Sequence, residues 1–209
     1  MKQQIPCGHP LSTDLVDGVL TVTLPLSDEG LLSLTACEVL CALLNSPPRG
    51  AQVLVLESEG AVFCLGRERE TDRGVAVDDA LRSTTLVSVA KVHGDAAGCG
   101  VELAGLSDFA IAASTSCFSF PETGSGAAPA RALSWLPQVV GRREAFRLTT
   151  TGATITAAEA EALGLLTGVA DPDDLDAQTN AIVETLRRRS PRVHREIRGL
   201  RAADHRRRH

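Results

Sequence analysis

The feature that most narrows the fold is a succession of short apolar runs separated by segments of helical period. Val53-Leu54-Val55-Leu56, within residues 52–57, and Leu86-Val87-Ser88-Val89-Ala90-Lys91-Val92 are too short and too continuously apolar for surface helices, and they read as buried strands. Residues 18–24 alternate apolar and polar with period two and form a further strand. Residues 108–113 and 117–120 suggest two more. Between them, Ser33 offers an N-cap for an apolar helix over 34–44, broken by Asn45-Ser46-Pro47-Pro48. Residues 76–84 are weakly helical, and helices are expected near 127–135, 141–149, 156–163 and 173–189. Strand–helix alternation followed by helices places the chain in the α/β class. Periodicity alone fits a doubly wound sheet equally well.

The 209 residues suit one domain, with no repeat or linker to mark a second. Aromatic residues make up 3% and Tyr is absent, so Leu, Val and Ala must fill the core, and stacking platforms for nucleic-acid bases are not expected. No run approaches the length a membrane helix needs, and the N-terminus carries no apolar leader, so the expectation is cytoplasmic. Six cysteines show neither CxxC pairs nor a zinc spacing; buried, reduced thiols are expected, and no metal. Residues 187–209 carry ten Arg against Glu196 and Asp204, a net of +8, while the remainder carries −13. A solvated helix with a frayed basic end is expected there, with an acidic carrier protein or CoA phosphate as a further possibility and nucleic acid the less favoured one.

The chemistry concentrates in His93-Gly94-Asp95-Ala96-Ala97-Gly98-Cys99-Gly100-Val101-Glu102-Leu103-Ala104. Three glycines in seven residues allow a tight turn into a helix over 101–106 and a close approach of backbone to ligand. Opening N–H groups of a helix lack internal partners and lie at the positive end of its dipole, which suits a developing oxyanion. Glu102 falls one turn beyond Cys99 on the same side. A dinucleotide loop lacks its third glycine here, a P-loop lysine is missing, and Gly124-Ser125-Gly126 has the wrong spacing for a nucleophile elbow.

Residues 93–108, with their glycine turn, Glu-Leu-Ala helix and closing Asp108, resemble the signature of the crotonase (enoyl-CoA hydratase/isomerase) superfamily. Phe63-Cys64-Leu65-Gly66 resembles its first oxyanion loop and Phe120-Pro121-Glu122 its Pro-Glu segment. Leu136-Pro137 with Gly141, then Thr151-Gly152, Ile155-Thr156-Ala157, Glu159-Ala160 and Leu163-Gly164-Leu165, resemble its later helices. The likeness covers about residues 15–172, leaving about 173–209 as C-terminal helix and basic tail.

The resemblance implies a spiral of repeats, each of two strands and a helix, and assembly as trimers or hexamers. It also implies an oxyanion hole made by the backbone N–H groups of Arg67 and Cys99, with Leu65, Gly66, Gly98 and Gly100 lining the thioester. Glu102 would handle water and Glu122 the α-proton, pointing to an enoyl-CoA or enoyl-carrier-protein hydratase or dehydratase. Double-bond isomerisation, decarboxylation and a non-catalytic accessory subunit with a partner enzyme are the alternatives. No cofactor is expected beyond the CoA or phosphopantetheine of the substrate.

Several residues depart from the family pattern. The interval from Gly66 to Gly94 is short, trimming the helix that walls the acyl pocket. Asp95 brings a charge near the hole, where its carboxylate is expected to cap the turn. The loop after Glu122 is short, Arg131 falls in the next helix, and the C-terminal helices are expected to be reduced. His93 is expected to be hydrogen-bonded at a strand end, Cys99 to pack as a small residue, and Trp135 and Phe146 to make core or subunit contacts. Arg67 and Arg69 are candidates for CoA phosphates. The remaining histidines lie in the N-terminal stretch (His9) and the tail (His194, His205, His209).

Overall fold

A computed structural model describes residues 11–68 and 77–207, with side chains as far as Leu200. Cys7, His9, Arg69 and His209 lie outside the described residues, as does the side chain of His205.

The chain opens with a hairpin of β1 (Ser12–Val16) and β2 (Val19–Leu24), turned through Asp17-Gly18, both at positive φ (49° and 84°). Sequence reading finds β2 and misses β1; its signal is this two-residue Asp-Gly turn, whose twist matches that of paired strands. Next come β3 (Leu31–Leu32) and α1 (Leu34–Asn45), where Ser33 Oγ accepts the Ala36 N–H at 3.1 Å as the expected cap. The pattern recurs twice: β4 (Val53–Ser58), β5 (Gly66–Arg67), α2 (Val77–Ser83), and then β6 (Val87–Val92), β7 (Ala96–Ala97), α3 (Cys99–Leu106). A fourth turn brings β8 (Phe109–Ala113), β9 (Cys117–Ser119) and a 3-10 turn at Pro121–Ser125. Helices α4 (Ala130–Leu133), α5 (Leu136–Val139) and α6 (Arg142–Thr151) follow, then β10 (Ile155–Thr156), α7 (Ala157–Ala162), β11 (Gly168–Ala170), α8 (Leu175–Arg187) and α9 (Pro191–Arg207).

The long strands form one sheet in the order β1-β2-β4-β6-β8-β11, parallel except for β1. The order advances in one direction and never reverses. A doubly wound sheet reverses at a switch point, so that alternative is excluded. The short strands pair among themselves, β3 with β5 and β10-β9-β7, so each circuit passes a long strand, a short strand and a helix. The fold is the expected crotonase-like spiral of ββα repeats.

Leu40 and Leu44 of α1 join Leu20, Leu54 and Leu56 in the main core, while Val183 of α8 packs on Val53, Val55 and Val89 from the other side of the sheet. Both faces of β4 are therefore covered, which is why Val53 through Leu56 contains no polar residue. Phe63, Phe118, Phe120 and Trp135 are buried, but Phe146 is 65% exposed.

The tail departs from expectation. Helix α9 is docked through Arg198, whose guanidinium donates to Leu81 O (2.7 Å), Arg82 O (3.3 Å) and Thr84 O (2.9 Å) and pairs with Asp108. Asp108 also accepts from Ser88 N–H (2.8 Å) and Ser88 Oγ (3.1 Å). The last carbonyls of α2 lack helical partners, and one planar fork of donors meets them together with a buried carboxylate. Asp108 is thus structural, and the basic end is more than a solvated face.

Because the Arg198 and Asp108 side chains are only 10% and 12% exposed, removing one leaves the other desolvated and short of a partner. Arg198→Met is expected to lower unfolding free energy by about 3 kcal/mol in a urea titration; a loss within error of zero would show that the contact is peripheral.

Candidate active site

Two segments far apart in sequence are laced together by their main chains. Phe63 N–H and Cys64 N–H both donate to Asp95 O (3.0 and 3.3 Å), and Ala97 N–H donates to Cys64 O at 2.8 Å. A Cβ placed on Gly100 would lie 2.0 Å from Cys64 O, so only glycine lets α3 begin this close to the loop. The lacing sets Gly66 and Arg67 beside the turn at Gly98-Cys99. On its outer side, β5 is held to β3 by Leu65 N–H on Gly30 O (2.8 Å) and Glu68 N–H on Leu32 O (2.9 Å). The half-buried Leu65 side chain leans over Gly30.

Cys99 opens α3 with no side-chain cap at Gly98, and Gly98 N–H is tied to Ser119 O at 3.0 Å. Parallel pairing of β7 with β9, Ala97 opposite Ser119, carries the chain on to Phe120-Pro121-Glu122. Glu122 therefore arrives over the glycine turn. A Cβ on Gly98 would stand 2.3 Å from Glu122 Oε1, and Gly98 is at φ +49°. Glu122 Oε2 is buried and has no protein hydrogen-bond partner.

Glu102 lies in the first turn of α3. Burial pushes its carboxyl up to about 7; Arg67 and Arg131 pull it down, and Asp78 and Glu122 push it further up. Burial also raises Glu122, against its own backbone N–H and Arg67. The residues expected from sequence, Leu65, Gly66, Arg67, Gly98, Cys99, Gly100, Glu102 and Glu122, are thus brought to one place.

Neighbouring expectations also find their positions. Asp95 Oδ1 accepts the Cys117 N–H at 2.9 Å, so its carboxylate ties the turn to β9. His93 Nε2 hydrogen-bonds Gly60 O at 3.0 Å. The five described cysteines are free thiols. Cys99 hydrogen-bonds the Cys64 thiol, which together with burial holds it well above the ordinary thiol range, opposite to an activated nucleophile.

Sequence reading misses an ion pair beside Glu102. Asp78, in the first turn of α2, pairs with Arg131 of α4 at 2.5 Å, with side chains 8% and 31% exposed. Fifty-three residues separate them, and an acidic first turn on a weak helix reads as a solvated face. No local signal could have joined the two. The Arg67 side chain is likewise drawn inward, close enough to Glu102 and Asp78 to feel their charge.

The model of the family described as enoyl-CoA hydratase/isomerase matches residues 33–207. The chain belongs to that family. A probable enoyl-CoA hydratase of Mycobacterium bovis is 31% identical over 184 residues, which span 81% of this chain and 71% of that protein. A crystal structure assigned as an enoyl-CoA hydratase of Streptomyces coelicolor A3(2) superposes with a TM-score of 0.87 at 30% identity, covering 97% of this chain and 82% of that one. An enoyl-CoA hydratase of Mycobacterium smegmatis shares the fold at 24% identity, with a TM-score of 0.84 over 92% of this chain and 82% of that one. Among the described residues no helix is long and apolar enough to cross a membrane.

The raised Glu102 carboxyl has a signed consequence for stability. Well below the ordinary value of 4.5 it is neutral folded and unfolded and contributes nothing. Between there and about 7 the unfolded chain ionises while the folded one resists, so stability falls, and above 7 the penalty is complete. Glu102→Gln is expected to match the wild type in chemical denaturation at pH 4 and to exceed it by about 1–3 kcal/mol at pH 8. An unchanged difference across that range would mean the carboxyl is not desolvated.

Proposed function

We propose that the protein hydrates a 2-enoyl thioester, or runs the reverse dehydration, at the cleft where Glu122 overhangs the Gly98 turn and Glu102 stands one helical turn beyond Cys99. The observation that carries this is the pair of desolvated carboxyls on either side of the unpartnered start of α3, one with a buried oxygen that no protein group satisfies. Conjugate addition needs a base for water, an acid for carbon and a place for negative charge. All three functions have candidate groups here.

In this reading the Arg67 and Cys99 N–H groups receive the thioester oxygen. Glu102, ionised, takes a proton from water while the oxygen bonds to the β-carbon, and the π electrons move onto the thioester oxygen as an enolate. Glu122, protonated, then delivers its proton to the α-carbon and the carbonyl re-forms. Water is added, and one proton returned from Glu102 to Glu122 through solvent resets the pair. The carrier, CoA or the phosphopantetheine of a carrier protein, is part of the substrate, and the reaction calls for no other cofactor. The outward-facing Val193, Ile197 and Leu200 of α9 (47%, 58% and 70% exposed) support assembly with further copies of the chain.

A double-bond shift is the second reading. It is favoured by a relative from Mycosarcoma maydis, named an enoyl-CoA isomerase/hydratase, that is 30% identical over 155 residues. Either carboxyl could move the proton.

With crotonyl-CoA, hydration is expected to remove the conjugated-thioester absorbance. Glu102→Gln and Glu122→Gln should each lower kcat by about 10²–10⁴-fold with the circular-dichroism spectrum unchanged. Undiminished turnover in both variants would sink the mechanism, and a rise in absorbance from a 3-enoyl thioester would assign the double-bond shift instead.

A further inference from the structure

Two of the thiols meet across the lacing that builds the cleft, and the function proposed above uses neither side chain. Cys64 lies in the loop after β4, and Cys99 opens α3. Their segments are bonded from Ala97 N–H to Cys64 O at 2.8 Å, and Cys64 forms a parallel bridge with Ala96. A Cβ on Gly100 would stand 3.0 Å from Cys64 Cβ, so side chains at this turn and at Cys64 share one small space. There the Cys99 thiol hydrogen-bonds that of Cys64, and Cys64 Sγ donates onward to Gly66 O at 3.3 Å. Cys64 is fully buried and Cys99 is 7% exposed. Among the described residues no cluster of three metal-ligating side chains includes them. Small apolar residues would pack here as well; what two touching sulfurs add is a two-electron couple.

We propose that Cys64 and Cys99 are a modification site, closed into a reversible disulfide by hydrogen peroxide, and that the bridge shuts the cleft. One sulfur attacks a peroxide oxygen, the O–O bond breaks and water leaves, giving a sulfenic acid. The second sulfur attacks the first, the S–O bond breaks, and a second water leaves with the thiol proton. Two thiols and one peroxide thus become one disulfide and two waters, the sulfurs giving up the two electrons that the peroxide takes. The Cys99 S–H donates to Cys64 and holds its thiol below the ordinary range, so Cys64 is the attacking sulfur and Cys99 the resolving one. Because the resolving thiol is already in contact, condensation outruns further oxidation to the sulfinic acid, and a dithiol reverses it. The bridge removes the S–H that Gly66 O accepts and draws the loop at 64–66 against the start of α3. That the cleft then fails to take a thioester rests on the function proposed above; the formation of the bridge does not.

The test treats the reduced protein with a slight excess of hydrogen peroxide, then denatures, alkylates and digests it for mass spectrometry. The expected product is a peptide pair joined through Cys64 and Cys99, lighter by two hydrogens than its thiols and separated by dithiothreitol. Calorimetry with butyryl-CoA, which cannot be hydrated, reads the closure: affinity should fall at least about tenfold on oxidation and return on reduction. In Cys64→Ser, which keeps a hydroxyl for Gly66 O but cannot form the bridge, peroxide should change that affinity by less than about twofold. The mapping of the wild-type bridge stands whether or not this variant folds. Both cysteines recovered alkylated, a bridge to another cysteine instead, or a bridge that leaves butyryl-CoA affinity unchanged would overturn the inference. So would reduced protein that fails to bind butyryl-CoA, or an equal loss in Cys64→Ser, which would come from oxidation elsewhere. Crotonyl-CoA turnover without a bridge sinks this inference and leaves the hydratase reading standing. A bridge that abolishes butyryl-CoA binding in a protein that never turns over crotonyl-CoA does the reverse.

Discussion

Where α3 begins, its backbone passes so near the Cys64 carbonyl that a single methyl group at position 100 would stand 2.0 Å from the oxygen. That contact brings the loop after β4 and the turn after β6 into one structure. The Asp95 carbonyl, accepting two N–H groups from Phe63 and Cys64, fixes their register. The main chain at 66–67 and the main chain at 98–99 border the same space because the bond from Ala97 N–H to Cys64 O joins the two segments. The side chains at 67 and 99 can vary widely under such an arrangement, and here they are Arg and Cys. The glycines at 98 and 100 are how this sequence specifies that backbone geometry.

The same closeness sets the electrostatics. Bringing Glu122 over Gly98 removes one of its oxygens from water without supplying a protein donor. Helix α3 carries Glu102 into the cleft, where desolvation outweighs the nearby guanidinium charges and raises its carboxyl to about 7. A carboxyl titrating near neutrality can take or give a proton with little driving force lost either way. In the proposed hydration, the desolvation that destabilises the folded chain at high pH would also fit the residue for proton transfer.

The parts legible in sequence are those encoded by neighbours along the chain. Ser33 announces α1, the apolar blocks at 53–56 and 87–90 announce strands buried on both faces, and the glycine turn before Glu102 announces the start of α3. That Glu122 serves the same site as Cys99 is implied by the family resemblance alone, a relation no periodicity holds. Contacts between residues of unrelated spacing were not legible: Asp78 with Arg131, Cys64 with Cys99, and Arg198 with Asp108. In each pair both residues have an ordinary local explanation, as a solvated helix face, a small buried thiol or a basic end. The hairpin strand β1 was missed for another reason. It is an edge strand with only intermediate or exposed residues, so it lacks the apolar imprint that marks β4 and β6.

The docking of α9 ties this last class of contact to the site. Arg198 grips the C-terminal carbonyls of α2 and the carboxylate of Asp108, just past the end of α3. Helix α2 presents Asp78 from its first turn, and α3 presents Glu102 from its own. One guanidinium at the far ends of two short helices thus fixes the relative placement of the carboxylates at their near ends. A seven-residue helix such as α2 has too few internal hydrogen bonds to be rigid by itself. Its orientation comes from Val77, Ala80 and Leu81 packed into the core, with Arg131 holding one end and Arg198 the other. The basic C-terminal segment, read in isolation as a charge excess, belongs structurally to the support of the two helices that carry Asp78 and Glu102.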